Sequence, residues 1–420
     1  MKILIRSAKI IQKGADLNGQ VRDIFIENGV IRQIGEQISA EADEIIEGEN
    51  LCVSLGWFDM RVHAKDPGYE HKESLYSLEK AALAGGFSEI ALLPNTKPTV
   101  QTRESVHYLR KSGDIIKFHP LAAVTLKCEG KDFTEMIDLH HAGAVAFTDG
   151  EHPIQNPDIF LKTLQYLSPI GSLLINRPED TDLTHFGQMH EGSVSTLIGM
   201  KGMPQMAEEI MVMRDLKLLE YIVDTPFAEV DTTLPLLHFA CISSAESVEL
   251  IRQAKAKGLP ISADVAVHQL CFTEDDLMGF DTNFKVNPPF RTQKDVAALW
   301  AGLADGTIDT IVSDHNPQDD ESKNLEFDMA DFGIIGLETL FGVANTYNVG
   351  LSLEDLIDKI TIQPRKILRL AQPQIAEGAK ANLTVFEPEK EWTYSTILSN
   401  SKNTPFLGKT FKGKALVVIA

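Results

Sequence analysis

Short apolar runs recur between about residue 55 and residue 370, and longer stretches of helical periodicity separate them. The strands expected from these runs are Glu89–Leu93, Ala144–Phe147, Ser172–Ile175, Leu236–Phe239, Pro260–Asp264 and Thr310–Ser313. The expected helices include Ser74–Ala84, Met206–Tyr221, Ser244–Lys257 and Leu353–Ile360. Ser243-Ser244 ahead of an apolar-periodic stretch reads as a helix start. Such alternation predicts parallel βαβ units, hence an α/β fold. Eight units would close a TIM-type (β/α)8 barrel of about 250 residues plus insertions. The two ends have a different texture. Residues 2–12 and 21–34 read as strands, and within the second stretch Asn28-Gly29, between Ile26 and Val30, is a hairpin turn signal. Leu383–Phe386 and Ala415–Ile419 are equally β-rich. The expectation is a small composite β domain formed from both termini, 1–54 plus 372–420, around a barrel spanning 55–371.

Composition narrows the partners. The 420 residues carry 39 basic and 60 acidic side chains, a formal net charge of −21. A nucleic-acid binder would show a basic balance or patch, so none is expected. No apolar run reaches about 18 residues, so no membrane span is expected. The N-terminal stretch alternates like a strand and lacks a small-residue cleavage site, which argues against a signal peptide. Cys52, Cys128, Cys241 and Cys271 form no CxxC pair, and a chain this long needs no disulfide staples. Reduced cysteines and a cytoplasmic location are expected.

In a barrel, chemistry sits at the C-terminal ends of the strands. Polar residues follow the apolar runs at Asp59–His63, Asn95-Thr96, Thr148-Asp149, Asn176-Arg177, Cys241, Asp264, Asn287 and Asp314-His315. Turns and helix caps use the same residue types, so the set carries more than any member. Asp59-Met-Arg-Val-His-Ala-Lys-Asp-Pro-Gly-Tyr-Glu-His-Lys-Glu73 resembles the dihydroorotase signature D-x-H-x-H-x-R-x-P-G-x-E-x-K-E. Gly143–Asp149, Asn283–Arg291, Phe332–Glu338 and Asn403–Gly408 are also similar to that family's segments. The resemblance spans nearly the whole chain and identifies it as a member of the dihydroorotases, a branch of the amidohydrolase superfamily.

The resemblance implies a barrel enzyme of pyrimidine biosynthesis that opens or closes the cyclic amide of dihydroorotate. A zinc-type ion would lower the pKa of water to about 7 and polarise the amide. An aspartate at the end of the last barrel strand, here Asp314, would move protons. Carried over position by position, the resemblance leaves His63, Asp149 and Asp314 as residual metal ligands. It leaves open whether Asp149 or Glu151 takes the bridging place. Three of the four histidine ligands are replaced, by Arg61, Arg177 and Cys241. Lys65 stands where an arginine meets the substrate carboxylate, so charge is kept but the bidentate fork is lost. Asn95 and Asn287 are retained as substrate contacts.

A guanidinium stays protonated and repels a divalent cation. Arg61 and Arg177 are therefore expected to replace the metals as counter-charges for Asp314 and Asp149. The cofactor expectation is none, or a single zinc ion. Cys241 has a bland reading as a small core filler. His238 and His268 read as packing residues, and His140-His141 as surface residues on a helix. Three readings remain: a non-catalytic homologue, an active dihydroorotase with a rebuilt mononuclear zinc site, and a binding protein for dihydroorotate or carbamoyl aspartate. Metal-free relatives serve as structural partners of aspartate transcarbamoylase, so the resemblance implies that partner, and a homo-oligomer as well.

Overall fold

A computed structural model describes residues 1–225 and 231–420. Five short strands open the chain: β1 (Lys2–Ile11), β2 (Val21–Glu27), β3 (Val30–Gly35), β4 (Glu44–Ile46) and β5 (Cys52–Leu55). The β2–β3 turn is at Asn28-Gly29, both at positive φ (52° and 72°), as a tight hairpin turn requires. Eleven further strands follow: β6 (Trp57–Val62), β7 (Phe87–Leu92), β8 (Lys117–Pro120), β9 (Leu174–Asn176), β10 (Met189–His190), β11 (Gly202–Met203), β12 (Leu237–Phe239), β13 (Ile261–Ala266), β14 (Thr310–Val312), β15 (Leu383–Thr393) and β16 (Thr410–Ile419). β15 pairs antiparallel with β5 and β16 with β15, giving the sheet order β16-β15-β5-β1-β2-β3 with β4 on β1. The two ends of the chain thus share one sheet. Its core is aliphatic: Ile5, Ile10, Ile24, Val53, Leu383 and Val385 are all fully buried.

The barrel is parallel throughout. β6-β7-β8 form one arc and β9-β12-β13-β14 the other. Phe147 joins them by bridging Ala122 and Leu174, and the Val62–His315 bridge closes the ring. The expected strand Ala144–Phe147 is therefore present only as bridge positions. Phe58, Met60, Leu93, Leu121 and Ile175 fill the barrel, so its interior is packed and not a pore. Trp57 is buried against Phe87, Phe341 and Phe386, which ties barrel to sheet. The helix Leu75–Gly85 begins at Ser74, whose hydroxyl accepts from the Ser77 amide, and ends at Gly86 with φ 95°. A side chain at Gly86 would lie 2.6 Å from the Trp57 ring, so glycine is required for both conformation and space. All four cysteines are free. No helix among the described residues is long and apolar enough to cross a membrane.

Candidate active site

Four barrel strands deliver polar side chains to the same mouth. His63 and Lys65 follow β6, Asn95 follows β7, Arg177 follows β9 and Asp314 follows β14. Together with Arg61 and Asn287 they line one cavity of about 570 Å3. Lys65, Cys241 and Asp314 adopt left-handed backbone (φ 61°, 54° and 46°). Non-glycine residues held there cost about 1–2 kcal/mol each. Strain of this kind gathers at functional sites because the surrounding fold enforces it.

The aspartate at the last strand is already engaged. Arg61 Nε donates to Asp314 Oδ1 at 2.8 Å, and both side chains are buried. Burial opposes the Arg61 charge, but the Asp314 and Asp264 carboxylates more than offset it and raise its pKa. Asp59 braces this corner, accepting from the Arg61 amide at 3.0 Å and the Ser313 amide at 3.0 Å. Burial drives His63 down to about 3, so its imidazole is neutral. Its Nδ1 lies 3.6 Å from Glu151 and its Nε2 lies 3.9 Å from Asp314.

Two expectations need correction. Asp149 does not line the cavity. Its carboxylate accepts from the Val124 and Thr125 amides at 2.9 Å and from the Thr125 hydroxyl at 2.5 Å, so the acid is used to fix a loop. Glu151 reaches the cavity in its place and accepts from Asn316 Nδ2 at 2.9 Å. Arg177 does not pair with Asp149. It meets Glu179 Oε2 at 2.7 Å and the Glu151 carbonyl at 2.7 Å, because Glu179, two residues on, also reaches the site. Asn287 donates to the same Glu179 oxygen at 3.0 Å. Cys241 is buried outside the cavity lining, and burial pushes its thiol pKa well up.

These donors do not fit the zinc expected from the resemblance. Glu151 and Asp314 face opposite nitrogens of His63, so one ion cannot take all three. Among the described residues no group of three or more histidine, cysteine, aspartate or glutamate side chains could hold a metal. Two guanidinium groups line the same cavity. Asn95 accepts from the Glu151 amide at 3.2 Å and donates to the Asp149 carbonyl at 3.1 Å, which fixes the loop carrying Glu151. Lys65 points into the cavity region with burial lowering its pKa.

Sequence reasoning missed Lys72, whose Nζ donates to Gln318 at 2.6 Å and to Asp331 at 3.0 Å on the cavity rim. It also missed Glu179 as the partner of Arg177. Lys72 was in view inside the signature, but a motif does not reveal which members face inward. His238 is a buried strand residue, bonded to Ser262 and Asp264 at 2.8 Å each, in keeping with a packing role.

Comparison with known proteins places this geometry. Residues 51–222 match the family model described as dihydro-orotase-like, and residues 196–419 match the amidohydrolase family model. A protein named dihydroorotase from Pelotomaculum thermopropionicum is 37% identical over 422 residues, covering 98% of this chain and 96% of the relative. Another from Syntrophus aciditrophicus is 37% identical and covers 100% of this chain and 98% of the relative. Among solved structures, an L-hydantoinase (dihydropyrimidinase) from Arthrobacter aurescens superposes with a TM-score of 0.83 at 22% identity, covering 100% of this chain and 96% of that one. A D-hydantoinase structure gives 0.80 at 18% identity over 100% of this chain and 94% of that one. The structures establish the same fold, a barrel with an accessory β domain, and the full-length sequence match goes further: this chain belongs to the dihydroorotase family of the amidohydrolases.

Proposed function

We propose that this chain is a dihydroorotase-family protein of pyrimidine biosynthesis that does not carry out metal-dependent hydrolysis. The Arg61–Asp314 contact of 2.8 Å carries the reading. Asp314 is the group that the family resemblance assigns to proton transfer. Here that carboxylate is engaged by a guanidinium, which stands where a metal cation would have to enter. The pocket then serves to recognise dihydroorotate or carbamoyl aspartate through Lys65, Asn95 and Asn287. The protein works in the cytoplasm as a structural partner of aspartate transcarbamoylase.

A second reading has its own support. Relatives that match end to end at 36–38% identity bear the name dihydroorotase, and that favours an active hydrolase with a rebuilt mononuclear zinc site. His63 and Asp314 would be its core. Elemental analysis of the purified protein, together with a dihydroorotate turnover assay, separates the two. The first reading expects substoichiometric metal and no turnover. Stoichiometric zinc with turnover abolished in Asp314→Ala would establish the second. Co-purification tests the partnership: a transcarbamoylase whose assembly is indifferent to this chain removes it.

A further inference from the structure

The barrel has a second polar cavity at its opposite end. About 410 Å3 in volume, it lies where β8, the segment before Phe147 and the segment before β9 enter the barrel. The packed interior around Phe58 and Ile175 separates it from the cavity at the strands' C-terminal ends. Arg110, Lys117 and Arg369 line it with the imidazoles of His119 and His140, and no carboxylate lines it among the described residues. That is a local reversal of sign in a chain of net charge −21.

These cations are poorly matched within the protein. Arg110 is exposed and has no ion pair among the described residues. Lys117 lies 3.9 Å from Glu89, which already meets His119 at 2.7 Å and Arg365 at 3.1 Å. Arg369 donates one Nη2 bond to the Pro235 carbonyl at 2.9 Å and feels the charge of Asp231, while its Nε has no hydrogen-bond partner. The backbone is shaped to hold the guanidinium groups close. A Cβ at Gly143 would lie 2.6 Å from Arg110 Nη1, and one at Gly171 would lie 3.2 Å from Arg369 Nη1. Ser172 is buried and its hydroxyl is unpartnered, as is His140 Nδ1. A buried polar group without a partner is costly, so several on one cavity wall mark a place for an acceptor-rich ligand. The sequence expectation of His140 as a plain surface residue is corrected here: it is half-buried and faces this cavity.

We propose that this cavity binds a small phosphorylated molecule. A phosphate ester offers three charged acceptor oxygens in a tetrahedral array, which suits converging guanidinium, ammonium, hydroxyl and imidazole donors. The volume exceeds what inorganic phosphate fills and lies in the range of small-molecule sites, about 300–1,000 Å3. The apolar side of the wall, at Phe118 and Leu370, would cover the organic portion. The site is independent of whether the other cavity hydrolyses anything.

The test is calorimetric titration of the full chain with inorganic phosphate, pyrophosphate and adenosine monophosphate at low salt, where charge contacts are least screened. Saturable 1:1 binding of adenosine monophosphate, at least about tenfold tighter than inorganic phosphate, is expected. Loss of one charged hydrogen bond, about 1.5–3 kcal/mol, corresponds to roughly a tenfold or greater weakening. Arg110→Ala and Lys117→Ala remove exposed side chains, so both variants fold, and each should weaken binding by about that factor. Lys65→Ala should leave it unchanged. Absence of saturable binding, indifference to both exposed-cation variants, or loss of binding in Lys65→Ala would each overturn the proposal. Preference for a poly-glutamate peptide over the phosphorylated probes would overturn it in favour of a protein partner.

Discussion

Replacing Arg61 by alanine should destabilise this protein by about 3 kcal/mol. Its guanidinium and the Asp314 carboxylate are 2.8 Å apart, and their side chains are only 4% and 11% exposed. At an effective dielectric of about 20, charges that close attract by about 6 kcal/mol. Removing both from water cancels much of this gain, so the pair itself adds little. Breaking it is a different matter. Asp314 would keep its burial and lose its only ion-paired cation among the described residues, because neutral His63 at 3.9 Å cannot substitute. Measured losses for such orphaned charges run to about 3–5 kcal/mol, and the longer-range charge of Lys65 places this case at the low end. Urea unfolding at pH 7, followed by circular dichroism, reads the difference. The double variant Arg61→Met/Asp314→Asn removes both charges and should recover most of the loss. A single variant within about 1 kcal/mol of wild type, or a double variant no better than the single, would refute the counter-charge argument.

The other predictions concern separate regions. Burial pushes the Glu89 carboxyl up, but the hydrogen bond with His119 and the charge of Arg365 outweigh it and bring it to about 2 from an ordinary value of 4.5. A depressed acid stabilises above its unfolded pKa and loses that contribution as pH falls through the folded one. About 3 kcal/mol should therefore be present above pH 4.5 and vanish towards pH 2. Glu89→Gln should remove it at pH 7 and flatten the acid limb of a stability-against-pH curve; an unchanged limb would count against it. Lys285 Nζ donates to the Phe327 carbonyl at 2.7 Å and the Asp328 carbonyl at 3.2 Å, tying down the segment that leads to cavity residues Asp331 and Phe332. Lys285→Met should accelerate limited proteolysis within 325–332, and an unaltered cleavage rate would show the tether to be unimportant. Restoring histidine in the triple variant Arg61→His/Arg177→His/Cys241→His should raise bound zinc towards one equivalent or more by elemental analysis. If zinc content stays at the wild-type level, these three positions are not what sets metal affinity.

Much of the architecture was legible because burial imposes periodicity. The runs at Leu236–Phe239, Pro260–Asp264 and Thr310–Ser313 fall within a residue or two of β12, β13 and β14. β8 was missed because Lys117-Phe-His-Pro120 offers one large apolar residue and ends in proline. Ala144–Phe147 had the right texture, yet it pairs only through isolated bridges at Phe147. His63, Lys65, Asn95, Arg177 and Asp314 were legible as residues that follow strands, and they converge with Arg61, inside β6, and with Asn287 on one cavity. Their pairing was not. Asp149 and Glu151 are two residues apart in a turn, and only the positions of the Val124 and Thr125 amides determine which acid is consumed. Arg177 chose Glu179 over Asp149 for a similarly local reason. Side-chain direction in a loop depends on backbone partners distant in sequence, and periodicity carries no information about those.

The sheet shared by the two ends of the chain also constrains how the molecule is made. β5 finishes at Leu55, and its neighbour β15 begins at Leu383. At a synthesis rate of about 5–20 residues per second, tens of seconds pass before that partner is available. Until then β5 has an open edge, and Trp57 lacks Phe386, one of its three aromatic neighbours. The nascent chain can complete its barrel while still carrying an unpaired, strongly apolar strand beside it, the kind of edge that recruits other chains. A ribosome stalled late in the message would thus release a polypeptide with most of its helices and strands formed and an adhesive flank. For this fold the last tenth of the chain acts as a cover that renders the first tenth inert.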